Sequence, residues 1–163
     1  MIAIRPMVSQ DREILYEVMQ KTGVFSVQAI NLAMELIDTY LFTSGQLDYR
    51  VVVGESTPGV VEVFACYGPV AGTEGTWRLY WLVVTPTQQH QGVGTQMLAW
   101  LEEQMRQVGA RLVIVEITSE EKYIAFTRFF TERGYKQAGR IRNYFRAGED
   151  MLFYVKSLTA PSA

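Results

Sequence analysis

The stretch Gln89-His90-Gln91-Gly92-Val93-Gly94 follows the apolar run "LYWLVV" and leads into "TQMLAW", where a helical pattern begins. Two glycines at the mouth of a helix cost conformational entropy, so they imply a backbone that something must approach closely. A helix N-terminus offers such a neighbour unpaired N–H groups and the positive end of a dipole, which together bind a pyrophosphate. Glycines remove the Cβ atoms that would hold the anion off. Two loops of this kind do not fit. A P-loop needs G-x-x-x-x-G-K-[ST], and the lysine and the spaced glycine are missing. A dinucleotide fingerprint needs a third glycine where Met97 stands, and an early strand–loop–helix unit is also absent.

Glu116 is the second chemical signal. It interrupts the apolar strand "RLVIVEIT", where a buried carboxylate is expensive unless it is paired or functional. A structural salt bridge to an arginine and a chemical role both account for it. Glu74, in "PVAGTEGTW", reads as a solvated loop residue, and Glu62 reads as surface. One histidine, His90, and one cysteine, Cys66, cannot build a multi-His or Cys/His metal site, so no metal is expected. Cys66 falls in mid-strand, away from the glycine loop.

These residues need a scaffold, and the pattern of apolar residues supplies one. "IAIRPM" reads as a first strand ended by Pro6. A helix is expected over about 10–21, with Ser9 and Asp11 as capping oxygens, and Gly23 breaks it. A second helix starts at Ser26, carries Ala29, Ile30, Ala33, Met34, Ile37 and Leu41 on one face, and ends near Gly45. Three strands follow, "YRVVVGE", "GVVEVFACYG" and "GTWRLYWLVVTP". The turns "STPG" and "PVAGTEG" join them into an antiparallel meander. After Gly92, Met97, Leu98, Leu101, Met105 and Val108 trace a helical face that Gly109 caps. "RLVIVEIT" reads as a strand buried on both faces. A helix over about 120–133 comes next, closed by Gly134, and then the strands "YKQAGRIRNYF" and "DMLFYVKSL". The order β-α-α-β-β-β-α-β-α-β-β is an α+β domain with one mostly antiparallel sheet, helices on both faces, and parallel pairing from the strand–helix–strand unit near 76–117. One domain is expected over 1–158, with a frayed tail at 159–163.

Fifteen basic and seventeen acidic side chains among 163 residues give a net charge of −2. The basic residues are scattered, which argues against nucleic acid as a partner. The N-terminus is too short and interrupted for a signal peptide, and no apolar run approaches about 18 residues. A soluble cytoplasmic protein without membrane contact is expected.

A third loop pattern does fit. The acyl-coenzyme A loop Q/R-x-x-G-x-G/A is met by Gln89, Gly92 and Gly94, after a strand and before a helix. At these residues the sequence resembles the GNAT superfamily of N-acetyltransferases. The likeness extends over nearly the whole chain, through "LVIVEIT" and the late "FFTERGY", which is similar to the family's F-Y-x-x-x-G-[FY]. "CYGPVAGTEGTWRLYWLVV" and "RIRNYFRAGEDMLFYVK" look like a bacterial branch of small members.

The resemblance implies an acetyl-CoA site between two splayed parallel strands, "LYWLVV" and "LVIVEIT". Main-chain groups of Leu82, Val83 and Val84 then pair with the pantetheine arm. Gln89, His90, Gln91, Gly92, Val93, Gly94 and Thr95 cradle the pyrophosphate. The family tyrosine that protonates the departing thiolate is Phe130 here. Tyr123, about 10 Å earlier along the helix at about 1.5 Å per residue, is too far to replace it and is expected to approach the cofactor elsewhere. Tyr144, in "RNYF", is the substitute acid. Glu116, near the splaying end of its strand, becomes the general base for a primary amine acceptor. A strand N–H near Val84 serves the developing oxyanion. The expected activity is acetyl transfer to an amine, small molecule or peptide, by direct attack in a ternary complex, in a monomer or homodimer. The alternative is a non-catalytic acyl-CoA-binding module, which the missing tyrosine keeps open.

Overall fold

The structure, a computed structural model, describes residues 1–159. The tail expected at 159–163 lies, beyond Thr159, outside the described residues. The chain runs β1 (Ala3–Pro6), a 3-10 turn (Ser9–Asp11), α1 (Arg12–Thr22), α2 (Val27–Phe42), β2 (Arg50–Thr57), β3 (Val60–Pro69) and β4 (Thr76–Val84). It continues through a 3-10 turn (Pro86–Gln88), α3 (Val93–Gln107), β5 (Leu112–Thr118), a 3-10 turn (Glu121–Tyr123), α4 (Ile124–Thr131), β6 (Lys136–Arg146) and β7 (Glu149–Ser157). The order of elements is the one the apolar pattern predicts.

Local chemistry sets the helix ends. Ser26 caps α2 by accepting the Ala29 N–H at 3.1 Å. Asp11 does not cap α1. Its carboxylate accepts from Val8 N and from Arg5 Nη1, tying the end of β1 to the helix start. The helix expected over 120–133 is shorter, because Glu121–Tyr123 winds as a 3-10 turn before α4 begins.

The seven strands of the described residues form one sheet in the order β1-β2-β3-β4-β5-β7-β6. Every neighbouring pair is antiparallel except β4 and β5, which the α3 crossover makes parallel. Two cores lie on opposite faces. Met97, Leu98, Leu101 and Met105 of α3 pack with Val63, Leu79, Val113 and Val115 on one side. On the other, Leu15 and Met19 of α1 and Ile30 and Ile37 of α2 pack with Val51, Val53, Phe64 and Cys66. Burying a side chain of this kind contributes about 1.5–3 kcal/mol, so each helix is held mainly by its apolar stripe.

Two burial expectations are corrected. Glu62 is buried, where its carboxylate accepts from the Ser56 hydroxyl. β5 is not buried on both faces. Val113, Val115 and Ile117 point into the α3 core, while Ile114 is partly covered and Glu116 is open, because α1 and α2 pack against β2, β3 and β4 rather than over β5.

Candidate active site

β4 and β5 pair only from Thr76 with Leu112 to Leu79 with Val115. Beyond that point β4 stays with β3, down to Val84 opposite Val63, while β5 stays with β7, down to Thr118 opposite Met151. The parting follows from a bulge. Cys66 faces Trp81 and Tyr67 faces Leu79, so Tyr80 is an extra residue that bends β4. The bulge also reverses the alternation of the strand. Trp77 and Leu79 face the α3 core before it; Leu82 packs there after it, while Val83 joins the opposite core. Among the described residues no strand pairs the second edge of residues 80–84, and a cleft opens on each side of the wedge.

The first cleft, of about 760 Å3, is lined by Leu82, Val83 and Val84, by the loop before α3, and by α4. The loop reaches the helix through two left-handed residues, His90 at φ +62° and Gly92 at φ +81°. The first intrahelical bond of α3 runs from Gln96 N to Gly92 O, so the N–H groups of Val93, Gly94 and Thr95 precede it. No side chain caps this end and its first turn holds no acidic residue. That is an anion site by electrostatics and geometry.

The two glycines serve different ends. A Cβ on Gly92 would meet nothing within 4 Å, and its need is the positive φ. A Cβ on Gly94 would lie 3.2 Å from Val84 Cγ2 and 3.3 Å from Phe129 Cε2, so Gly94 lets α3 seat close to β4 and α4. Both remain on the cleft wall. The glutamines brace the loop, Gln89 Nε2 donating to Val84 O at 3.3 Å and Gln91 Nε2 to Thr87 O at 2.8 Å. The Val93 side chain is buried in the α3 core, and Gln91 and Val93 do not line the cleft. Arg133 does. Its guanidinium donates to Thr95 Oγ1 at 3.2 Å and lies 3.8 Å from the Phe129 ring centroid, beside the uncapped helix end.

The second cleft, of about 500 Å3, lies on the face that α1 and α2 leave bare. Arg78, Tyr80 and Glu116 form its floor, with Ala29 and Leu32 of α2 on one side and Phe145 and Glu149 on the other. Arg78 Nη2 meets Glu116 Oε1 at 3.1 Å, both side chains about a third exposed (34% and 31%). Phe25 packs against Trp81, Tyr123 and Phe126 at centroid distances of 5.4, 6.3 and 6.2 Å, making an aromatic wall. Tyr123 donates its hydroxyl to Val24 O at 3.1 Å, and burial pushes its pKa up to about 12. Tyr123 therefore lines the second cleft and not the first.

Leu82, Lys122, Phe126 and Phe130 line both clefts and mark where they meet. Phe130 is buried edge-on between Phe129 and Tyr135, so its ring fills the position as packing. Tyr144 lines neither cleft and is 54% exposed. Asn143, at φ +55°, interrupts the β6–β7 register between Ile141 and Arg146, and the irregularity brings Phe145 to the cleft in its place. Cys66 is sealed in the core, its thiol pushed up to about 12 by burial. Sequence reasoning missed Arg78, Arg133, Lys122 and the aromatic wall. Arg78 carried the same signal as Glu116, a charge inside an apolar strand, and the two are partners.

Comparison with known proteins places this arrangement. Residues 38–135 match the acetyltransferase (GNAT) family. A crystal structure of a GNAT-family protein from Desulfovibrio desulfuricans superposes with a TM-score of 0.92 at 32% identity, over 98% of this chain and 100% of that one. An aminoglycoside 6'-N-acetyltransferase complexed with coenzyme A shares the fold at a TM-score of 0.74, 14% identity and 99% coverage of both chains. The aminoalkylphosphonate N-acetyltransferase of Salmonella typhimurium is 44% identical over 57 residues, 35% of this chain and 36% of its own length. The chain thus spans little more than a third of that curated relative. It belongs to the GNAT acetyltransferase family.

Proposed function

We propose that this GNAT family member is an N-acetyltransferase that moves an acetyl group from acetyl-CoA to a primary amine by direct attack in a ternary complex. The observation that carries the reading is the meeting of two clefts at the splay of β4 and β5, one ending on an uncapped helix N-terminus and the other on Glu116. The N–H groups of Val93, Gly94 and Thr95, with Arg133 beside them, hold the pyrophosphate. The unpaired edge of Leu82, Val83 and Val84 takes the pantetheine arm in a strand-like manner, and an N–H of this edge receives the oxyanion. The amine enters over the Arg78–Glu116 floor, and the Glu116 carboxylate takes its proton directly or through one water. A covalent acyl-enzyme finds no support, since Cys66 lines neither cleft. The curated relative named above is an amine acetyltransferase by its description, which agrees with an amine acceptor.

The experiment is thiol release from acetyl-CoA across a panel of primary amines, with both substrates varied. Direct transfer predicts intersecting double-reciprocal lines. Parallel lines would reveal a covalent intermediate and overturn the ternary complex. Tight CoA binding without release for any amine would favour the non-catalytic alternative, whose motive is Phe130.

A further inference from the structure

Phe130 leaves a task without a holder. Amine attack forms the carbon–nitrogen bond and puts the carbonyl pair on oxygen; as that pair returns, the carbon–sulfur bond breaks and its bonding pair leaves on sulfur. We infer that Lys122 supplies the cation beside which that thiolate departs, an inference that rests on the acetyl-transfer reading.

The argument is one of position. Of the side chains lining both clefts, Leu82, Phe126 and Phe130 are hydrocarbon, and Lys122 alone is polar among the described residues. The other hydroxyls and the thiol do not line both clefts, and Tyr80 lines the second alone. Tyr123 gives its hydroxyl to Val24 O, Tyr135 gives its own to Glu102 in the α3 core, Tyr144 reaches neither cleft, and Cys66 is sealed.

The turn Glu121–Tyr123 holds Lys122 at the junction. Its Nζ lies 3.1 Å from Glu120 Oε2 and 5.5 Å from the Tyr123 ring centroid. Across from it, Glu120 and Glu149 are both engaged by Arg146, at 3.0 and 2.6 Å, and the floor carries the Arg78–Glu116 pair. Removing Lys122 therefore leaves Glu120 with a partner, and the fold should tolerate it. The proton balance closes without a proton leaving Lys122. The amine's proton passes to the Glu116 carboxylate, and the thiolate leaves as an ion pair with the ammonium.

The measurement is the titration of the thiol of bound CoA, followed by thiolate absorbance, in the parent protein and in Lys122→Met and Lys122→Arg. A free thiol titrates near about 8.5. The inference predicts that CoA bound to the parent titrates about one unit lower, and that Lys122→Met returns it to the free value or above. It also predicts a kcat loss in Lys122→Met of about 10²–10³, the usual scale for one preorganised electrostatic group, with amine KM and the affinity for acetyl-CoA, which has no thiol to titrate, unchanged. Lys122→Arg restores both readouts in large part. If Lys122→Met binds CoA with the same thiol titration and turns over at the parent rate, Lys122 is a surface residue and the inference is wrong, while acetyl transfer stands. If the parent neither binds CoA nor releases thiol with any amine, the acetyl-transfer reading falls and takes the inference with it.

Discussion

Glu116 was legible in the sequence as a charge inside an apolar strand, while Arg78, which carries the same signal, was missed; their pairing at 3.1 Å accounts for why both are tolerated. Pairing and catalysis do not compete, because a carboxylate has two oxygens and about four lone-pair sites, more than one guanidinium contact occupies. If Glu116 is the base, Glu116→Gln should lower kcat/KM by about 10²–10⁴ while CoA affinity, by calorimetry, stays put. Full activity in that variant, or a collapse in Tm that accounts for the loss, would return the residue to structure alone. Tyr144 shows where residue-scale reading fails. Strand alternation cannot anticipate a left-handed Asn143 that brings Phe145 to the cleft instead.

At the scale of elements, the loop before α3 separates two uses of glycine that the pattern G-x-G merges. Gly92→Ala should cost about 1–2 kcal/mol of stability through its left-handed backbone, with little steric effect on the cleft. Gly94→Ala should push against Val84 and Phe129 and weaken CoA binding more than Gly92→Ala does, since both walls of the cleft shift. Calorimetry and thermal melts on the two variants check the order. The junction of β1 and α1 carries a pH signature. Arg5 holds the Asp11 carboxyl below the usual carboxylate range, chiefly by hydrogen bonding. A depressed acid contributes stability above its unfolded value of about 3.9, and that contribution is lost as pH falls through the lower folded value. Tm should therefore fall more steeply in acid for the parent than for Asp11→Asn, and equal slopes would contradict the assignment. The bulge at Tyr80 was not legible, because an unbroken run such as "LYWLVV" gives no sign of where its facing residues change sides. The splay that makes the site depends on that bulge.

For the whole molecule, the order of elements could be read from apolar periodicity and turn residues, while the insertion of β7 between β5 and β6 could not. Strand order in a sheet is a long-range property that local pattern does not encode. The bare sheet face that becomes the second cleft is a consequence of the same order, since α1 and α2 pack against β2, β3 and β4. No helix among the described residues is long and apolar enough to cross a membrane. A ligand spanning β4, α3 and α4 binds the folded state only, so acetyl-CoA at about 100 times its Kd should add about 2.7 kcal/mol and raise Tm by roughly 5–10 °C. An unchanged melt would argue against binding.

The central claim is that donor and acceptor meet where the two clefts join. A crystal structure with CoA bound tests it most directly. The account predicts the pyrophosphate on the N–H groups of Val93, Gly94 and Thr95, the pantetheine along Leu82–Val84, and the sulfur against Phe126, Phe130 and Lys122, open to Glu116. A pyrophosphate seated away from the start of α3, or a sulfur that opens onto a face remote from Glu116, would contradict it.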